Sequence, residues 1–210
     1  ASLLVKNNLN SKIKIYDPST EVISFICWTP VSAWSKIYTT ILWPDGNCWT
    51  SQNMNHGTML ATWWTLPTDD GIIEMWCYNN DINNCDNEWW LYNWDESMWY
   101  WLPENEDTTN SVCWQLWDWW SLPTNSQWSA LTSSWATWWT WNKLSWIISS
   151  LPGIRDMNTS FGYRPSYGRW WSSTKVSTTF SIRSLSSGNA SVSSNNYNRA
   201  YGFSIVCVKN

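Results

Sequence analysis

The chain contains one histidine, His56, in an Asn-Met-Asn-His-Gly-Thr-Met stretch just after a predicted strand. A general base needs a nucleophile and an orienting group within hydrogen-bond reach. The spacing supplies neither, so His56 reads as a surface or hydrogen-bonded residue, and no catalytic residue is assigned. Asp81, Asn83, Asp86 and Glu88 cluster in Asn-Asn-Asp-Ile-Asn-Asn-Cys-Asp-Asn-Glu. They offer the hard oxygen ligands that Ca²⁺ prefers, yet the spacing is not that of an EF-hand loop. A solvated, Asn-rich turn is the preferred reading; no cofactor is expected, with Ca²⁺ as the one candidate. Pro103-Glu104-Asn105 has the residues of the calcium-lectin sugar motif in the wrong order. Tyr163, Tyr167, Trp170 and Trp171 are candidates for stacking on a sugar ring, weighed against a place in a core strand.

The cysteines say more. Cys27, Cys48, Cys77, Cys85, Cys113 and Cys207 form an even set without the CxxC pairs or Cys/His spacing of zinc sites. They read as three disulfides in an oxidising, extracellular compartment. Spacing alone leaves the connectivity open, although the short Cys77–Cys85 loop invites a local bridge. Charged residues are only 13% and the net charge is −4. With the basic residues scattered, a nucleic-acid or membrane-surface face is disfavoured. No apolar stretch approaches the roughly 20 residues of a membrane span.

The chain holds 24 Trp but only 8 Gly. Turns rich in Asn, Ser, Thr and Pro normally use Gly to reach positive φ without a Cβ clash. Excess Trp and missing Gly have one common explanation: the codon UGA, glycine in some bacterial genetic codes, has been read as Trp. Turn context, taken together with the motif pattern of the module named below, marks Trp28, Trp34, Trp43, Trp63, Trp64, Trp89, Trp90, Trp99, Trp101, Trp114, Trp117, Trp119, Trp135, Trp138, Trp141 and Trp146 as such positions, with Trp139 ambiguous. The same motif pattern implies that Trp49, Trp76, Trp94, Trp120, Trp128, Trp170 and Trp171 are true indoles. The alternative is an aromatic sugar-binding surface.

The elements that must position these residues follow from periodicity and punctuation. Residues 1–35 form a leader with one or two strands around Asp17-Pro18. From Lys36 a strand leads to a turn at Pro44-Asp45-Gly46 and a second strand. A short helix is expected around Asp95 to Tyr100. A clearer one starts at Thr124, with Gln127 completing a capping box and Trp128 and Leu131 on one face. A third would run from about Asn142 to Pro152. The C-terminal third alternates as antiparallel strands, giving an α+β chain.

Ordered motifs carry a resemblance over residues 45–210. DGNCWTSQNMNHGT, then a Cys-bounded loop followed by WWLYNWDE, then VCWQLWDWWSLPTNSQWSAL, FGYRPS, RWWSST and YGFSIVCVKN stand in the order of one known module. The chain resembles the Fibrobacter succinogenes major paralogous domain, with Trp89-Trp90 and Trp119 standing at glycines of the family pattern. The resemblance implies a C-type-lectin-like fold related to formylglycine-generating enzymes: two or three short helices packed on antiparallel strands, with long irregular loops. It implies a domain over 36–210, and the pairs Cys113–Cys207 and Cys27–Cys48. It also implies a secreted or surface-displayed protein.

The resulting expectation is a non-enzymatic extracellular surface protein, a structural or display subunit of a pilus-like filament or surface layer, self-assembling through residues 1–35. The alternative is a discrete adhesin for carbohydrate or a host-surface receptor, including a phage receptor-binding tip. A formylglycine-generating-type enzyme is a third reading, but it needs reactive thiols that the bridges consume.

Overall fold

The computed structural model describes residues 26–33, 35–86, 90–100, 111–116, 119–133, 151–187 and 189–209. The early strands are short because turn residues interrupt them. β1 (Val31–Ala33) pairs antiparallel with β2 (Lys36–Tyr38), and the chain resumes as β3 (Thr40–Leu42). The strand expected from Lys36 is thus divided between two sheets. Val31 and Ala33, assigned by sequence to the leader, are buried in the main core. The expected turn forms at Pro44-Asp45-Gly46. Gly46, at φ 87°, donates to the Trp43 carbonyl, and Asp45 accepts from the backbone and side chain of Asn47. β4 (Cys48–Thr50) then returns on β3.

β5 (Thr58–Met59) lies parallel to β6 (Glu74–Cys77), which pairs antiparallel with β7 (Trp90–Leu91). Two short helices flank β7, α1 (Ile82–Asp86) and α2 (Trp94–Ser97). Next come β8 (Trp120–Ser121) and α3 (Asn125–Ser133), then β9 (Ile154–Arg155) paired with β10 (Phe161–Gly162). β11 (Tyr167–Val176), β12 (Thr179–Ser186) and β13 (Asn189–Tyr197) make a three-stranded antiparallel sheet. β14 (Val208–Lys209) inserts between β4 and β8 in a sheet ordered β3-β4-β14-β8. The chain is therefore mixed α+β, with mostly antiparallel strands and, among the described residues, three short α-helices. No described helix is long and apolar enough to cross a membrane.

Local chemistry explains α3. Gln127 N–H donates to the Thr124 hydroxyl, and Thr124 N–H donates to Gln127 Oε1, a reciprocal capping box. Trp128 and Leu131 face inward as expected. Arg183 then anchors the helix start to the sheet. It is 4% exposed, and its guanidinium donates to Asn125 Oδ1, the Asn125 carbonyl (3.0 Å), Ser129 Oγ (2.9 Å) and Ser194 Oγ (2.8 Å). The helix expected from about Asn142 lies outside the described residues, as do residues 1–25.

Three disulfides tie the chain: Cys27–Cys48, Cys77–Cys85 and Cys113–Cys207. These are the local bridge suggested by spacing and the two pairs implied by the resemblance. They are compatible with a secreted protein. The last spans 94 residues and pins the strand order around β14. On the chain-entropy account a crosslink of that length contributes about 4–5 kcal/mol.

The tryptophans divide sharply. Trp49, Trp76, Trp94, Trp120, Trp128, Trp170 and Trp171 all have less than 2% of their surface exposed. Of the positions marked by turn context, Trp28, Trp63, Trp64, Trp99, Trp114 and Trp119 are exposed. Trp28, Trp99 and Trp119 also have φ of 82°, 49° and 77°, where a Cβ is strained. Trp43 and Trp90 differ. Both are buried, and their Nε1–H groups donate to the carbonyls of Leu131 and Cys85. Trp34, Trp89, Trp101, Trp117, Trp135, Trp138, Trp139, Trp141 and Trp146 lie outside the described residues.

Adjacent positions give a direct test by thermal or denaturant melts. Trp119 is 76% exposed at positive φ, whereas Trp120 is 1% exposed in β8. Trp119→Gly is expected to stabilise the fold by about 0.5–1 kcal/mol, relief of left-handed strain outweighing the entropy of a freer unfolded chain. Trp120→Ala is expected to cost about 3–5 kcal/mol.

Candidate functional site

The C-terminal sheet meets two connecting segments at a surface rich in tyrosine. The turn after β10 is tight: Ser166 and Tyr167 N–H both donate to the Tyr163 carbonyl, and Ser187 N–H donates to the Ser166 carbonyl. This holds Tyr163 and Tyr167 edge to face, 5.7 Å between ring centroids, with 58% and 40% of their surfaces exposed. From β11, Arg169 lays its guanidinium 4.6 Å from the centroid of Tyr197, 5.5 Å from Tyr163 and 5.8 Å from Phe203. Tyr201 stacks on Phe203 and meets Tyr197 edge-on. In the sheet register Arg169 stands opposite Ser184, and Ser184 opposite Ser193. Alternation puts exposed Ser193 and Asn195 on the same face as Tyr197.

The arginines of this region are used differently. Arg183 is saturated. Arg155, fully buried, donates through Nε and a terminal nitrogen to the Trp63 carbonyl (3.1 and 3.0 Å) and lies 3.8 Å over the Trp76 ring. Burial lowers its pKa to about 10. Arg199 pairs with Asp95 at 3.1 Å. Arg169 alone among these four has a side chain with no hydrogen bond among the described residues: its Nε is buried without a partner, and the side chain as a whole is half-buried. Such a guanidinium, close to aromatic rings and with unused donors, can receive a planar anion.

The residues singled out from sequence fall in separate places. Trp170 and Trp171 belong to the core, which corrects the stacking expectation for them. Trp170 Nε1–H donates to Asn53 Oδ1 (2.7 Å), and Trp171 Nε1–H donates to the Tyr92 carbonyl (2.8 Å), so neither ring presents a face to solvent. Tyr163 and Tyr167 do present faces. Arg169, Tyr197 and Tyr201 were missed, because only the fold brings them beside Tyr163. Asp81 caps α1 instead of meeting other carboxylates: its Oδ1 accepts from the Asn83 backbone (3.0 Å) and side chain (2.8 Å). Asn83 and Asp86 are exposed, while Glu88 and Pro103-Glu104-Asn105 lie outside the described residues. Among the described residues, no three His, Cys, Asp or Glu groups converge as metal ligands.

His56 is held through its backbone: its N–H donates to the Tyr92 hydroxyl, which donates to the His56 carbonyl at 2.8 Å. Burial lowers the imidazole pKa to about 4, so it is neutral at neutral pH. The six cysteines are all oxidised, with no free thiol among the described residues.

No family model, curated protein or solved structure matches the chain.

One further acidic residue stands apart. Glu96 in α2 is 2% exposed; its Oε2 accepts from Glu74 N–H at 3.1 Å, while Oε1 has no partner of hydrogen-bond geometry. Tyr100 lies beside it. Burial first, with the charges of Glu74 and Asp70, raises its pKa to about 7. A folded pKa above the unfolded one stabilises at low pH, and this contribution is lost as pH rises from about 4.5 through 7. His56 acts oppositely: its contribution is lost as pH falls from about 6.5 through 4. Glu96→Gln is therefore expected to melt higher than the wild type at pH 8 and about level with it at pH 4.5. A parallel pH dependence of the two melting curves contradicts this assignment.

Proposed function

We propose that this chain is a non-enzymatic extracellular recognition module, displayed at a cell surface, with a C-type-lectin-like arrangement of the kind the Fibrobacter succinogenes major paralogous domain implies. The observation that carries the reading is the Arg169–tyrosine surface: exposed aromatic faces beside an unspent guanidinium, mounted on a sheet. Aromatic faces with a few directed polar groups are the usual composition of a small-molecule or sugar site. Disulfides suit long residence outside the cell, since they hold a loop-rich scaffold where no reductant acts on it. The ligand class is carbohydrate or a glycosylated host receptor.

Self-assembly into a filament or surface layer is the second reading. Among the described residues β13 is the end strand of the order β11-β12-β13, the position at which a strand from another copy would add.

Binding of the labelled, disulfide-intact chain to intact cell surfaces separates the two. The recognition reading expects saturable binding that is abolished when surface glycans are cleaved with periodate. Absence of binding together with growth of filaments, seen by electron microscopy, replaces it with the structural-subunit reading.

A further inference from the structure

We propose that the Arg169 surface binds a carboxylated saccharide, with the sugar carboxylate on the Arg169 guanidinium and the pyranose face against Tyr163. The inference rests on the recognition reading above and narrows its ligand. A guanidinium offers two parallel N–H donors matched to a planar carboxylate, and a surface that is mainly tyrosine excludes competing water without competing anions. Tyr197 and Phe203 fix the orientation of the guanidinium, 4.6 and 5.8 Å from their ring centroids. No acidic side chain ion-pairs with it among the described residues; Asp95 is taken by Arg199. One unpaired cation matches one negative charge, which favours a uronic or sialic acid over a multiply charged phosphate. Ser193 and Asn195, exposed on the same face, provide the neutral hydroxyl and amide groups that complement sugar hydroxyls. None of these positions is a tryptophan, so the site is indifferent to how the Trp codons are read.

The test uses the full disulfide-bonded chain and immobilised oligogalacturonate, oligoglucuronate and sialyl-lactose. Each is compared with its carboxyl-reduced form, and a sulfated, uncarboxylated oligosaccharide is included. The expected result is binding to at least one carboxylated probe that weakens ten-fold or more on carboxyl reduction. Arg169→Gln weakens it as much, Arg169→Lys weakens it less, and Tyr163→Ala weakens it while leaving the melting temperature unchanged. Tyr163 is largely exposed, so that variant keeps the test valid if Arg169→Gln unfolds. Equal binding of reduced, sulfated and carboxylated probes overturns the carboxylate assignment, as does undiminished binding by Tyr163→Ala. Periodate-sensitive cell binding that survives carboxyl reduction overturns this inference alone. Loss of all surface binding removes the recognition reading with it.

From an independent observation we infer that positions 28, 99 and 119 are glycine in the protein as its own cell makes it. Trp28, Trp99 and Trp119 are the described tryptophans at positive φ, with 60%, 37% and 76% of their surfaces exposed. Left-handed backbone is what glycine serves, and at 28 and 119 most of the indole lies in solvent and gains little from its place. The seven indoles expected to be genuine are instead wholly buried. Peptide mass spectrometry of the native protein is expected to read glycine at 28, 99 and 119 and tryptophan at 49, 120 and 171, with UGA codons at the first set and UGG at the second. Tryptophan at all three left-handed positions overturns it.

Discussion

The fold depends on one placement, the insertion of β14 between β4 and β8. Val208 stands opposite Trp49 on one side and Ser121 on the other, so the final strand joins segments from the start and middle of the chain. Such non-local pairing costs loop-closure entropy before it returns any contact. The Cys113–Cys207 bridge removes much of that cost by holding the unfolded chain closed at the residue before β14. Ile205, Val206 and Cys207 then enter the core, and Trp171 N–H reaches the Ser204 carbonyl. The three-stranded sheet therefore inherits its position from the four-stranded one.

The buried indoles make a second framework, because each brings a polar N–H inside. Trp49 donates to Asp45, Trp76 to the Thr65 carbonyl, Trp94 to the Ser172 carbonyl and Trp128 to the Trp171 carbonyl. Asp45 offers a turn carboxylate and Thr65 a loop carbonyl, while Trp171 and Ser172 stand where the register of β11 on β12 shifts. A core of aliphatic residues would leave those carbonyls buried and unpaired. The large aromatic residues therefore do two things at once, filling volume and completing irregular backbone.

What could be read from sequence was what depends on neighbours a few residues apart. The Thr124/Gln127 cap, the turn at Gly46 and the Cys77–Cys85 loop are local, and their residues state their own geometry. The division of the tryptophans was also legible, since turn context and burial are two views of the same steric demand. Trp43 escaped, because its indole meets the Leu131 carbonyl 88 residues away; Trp90 escaped although its acceptor, the Cys85 carbonyl, is only five residues back. The Arg169 surface was half legible. Tyr163 and Tyr167 signalled it, but Trp170 and Trp171 follow Arg169 in the same strand and fall within the core. Tyr197 and Tyr201 come from beyond a hairpin, and only the register of β12 on β13 brings them across.

Arg155 grips the loop around residue 63 by its main-chain carbonyl, not by its side chain. Such a clamp is blind to identity. Whatever amino acid the ribosome places at position 63, the carbonyl oxygen stands in the same place and the guanidinium keeps its partner. The loop is thus free to drift in sequence without losing its anchorage. That decoupling of shape from side chain leaves position 63 free to change while the interior stays as it is.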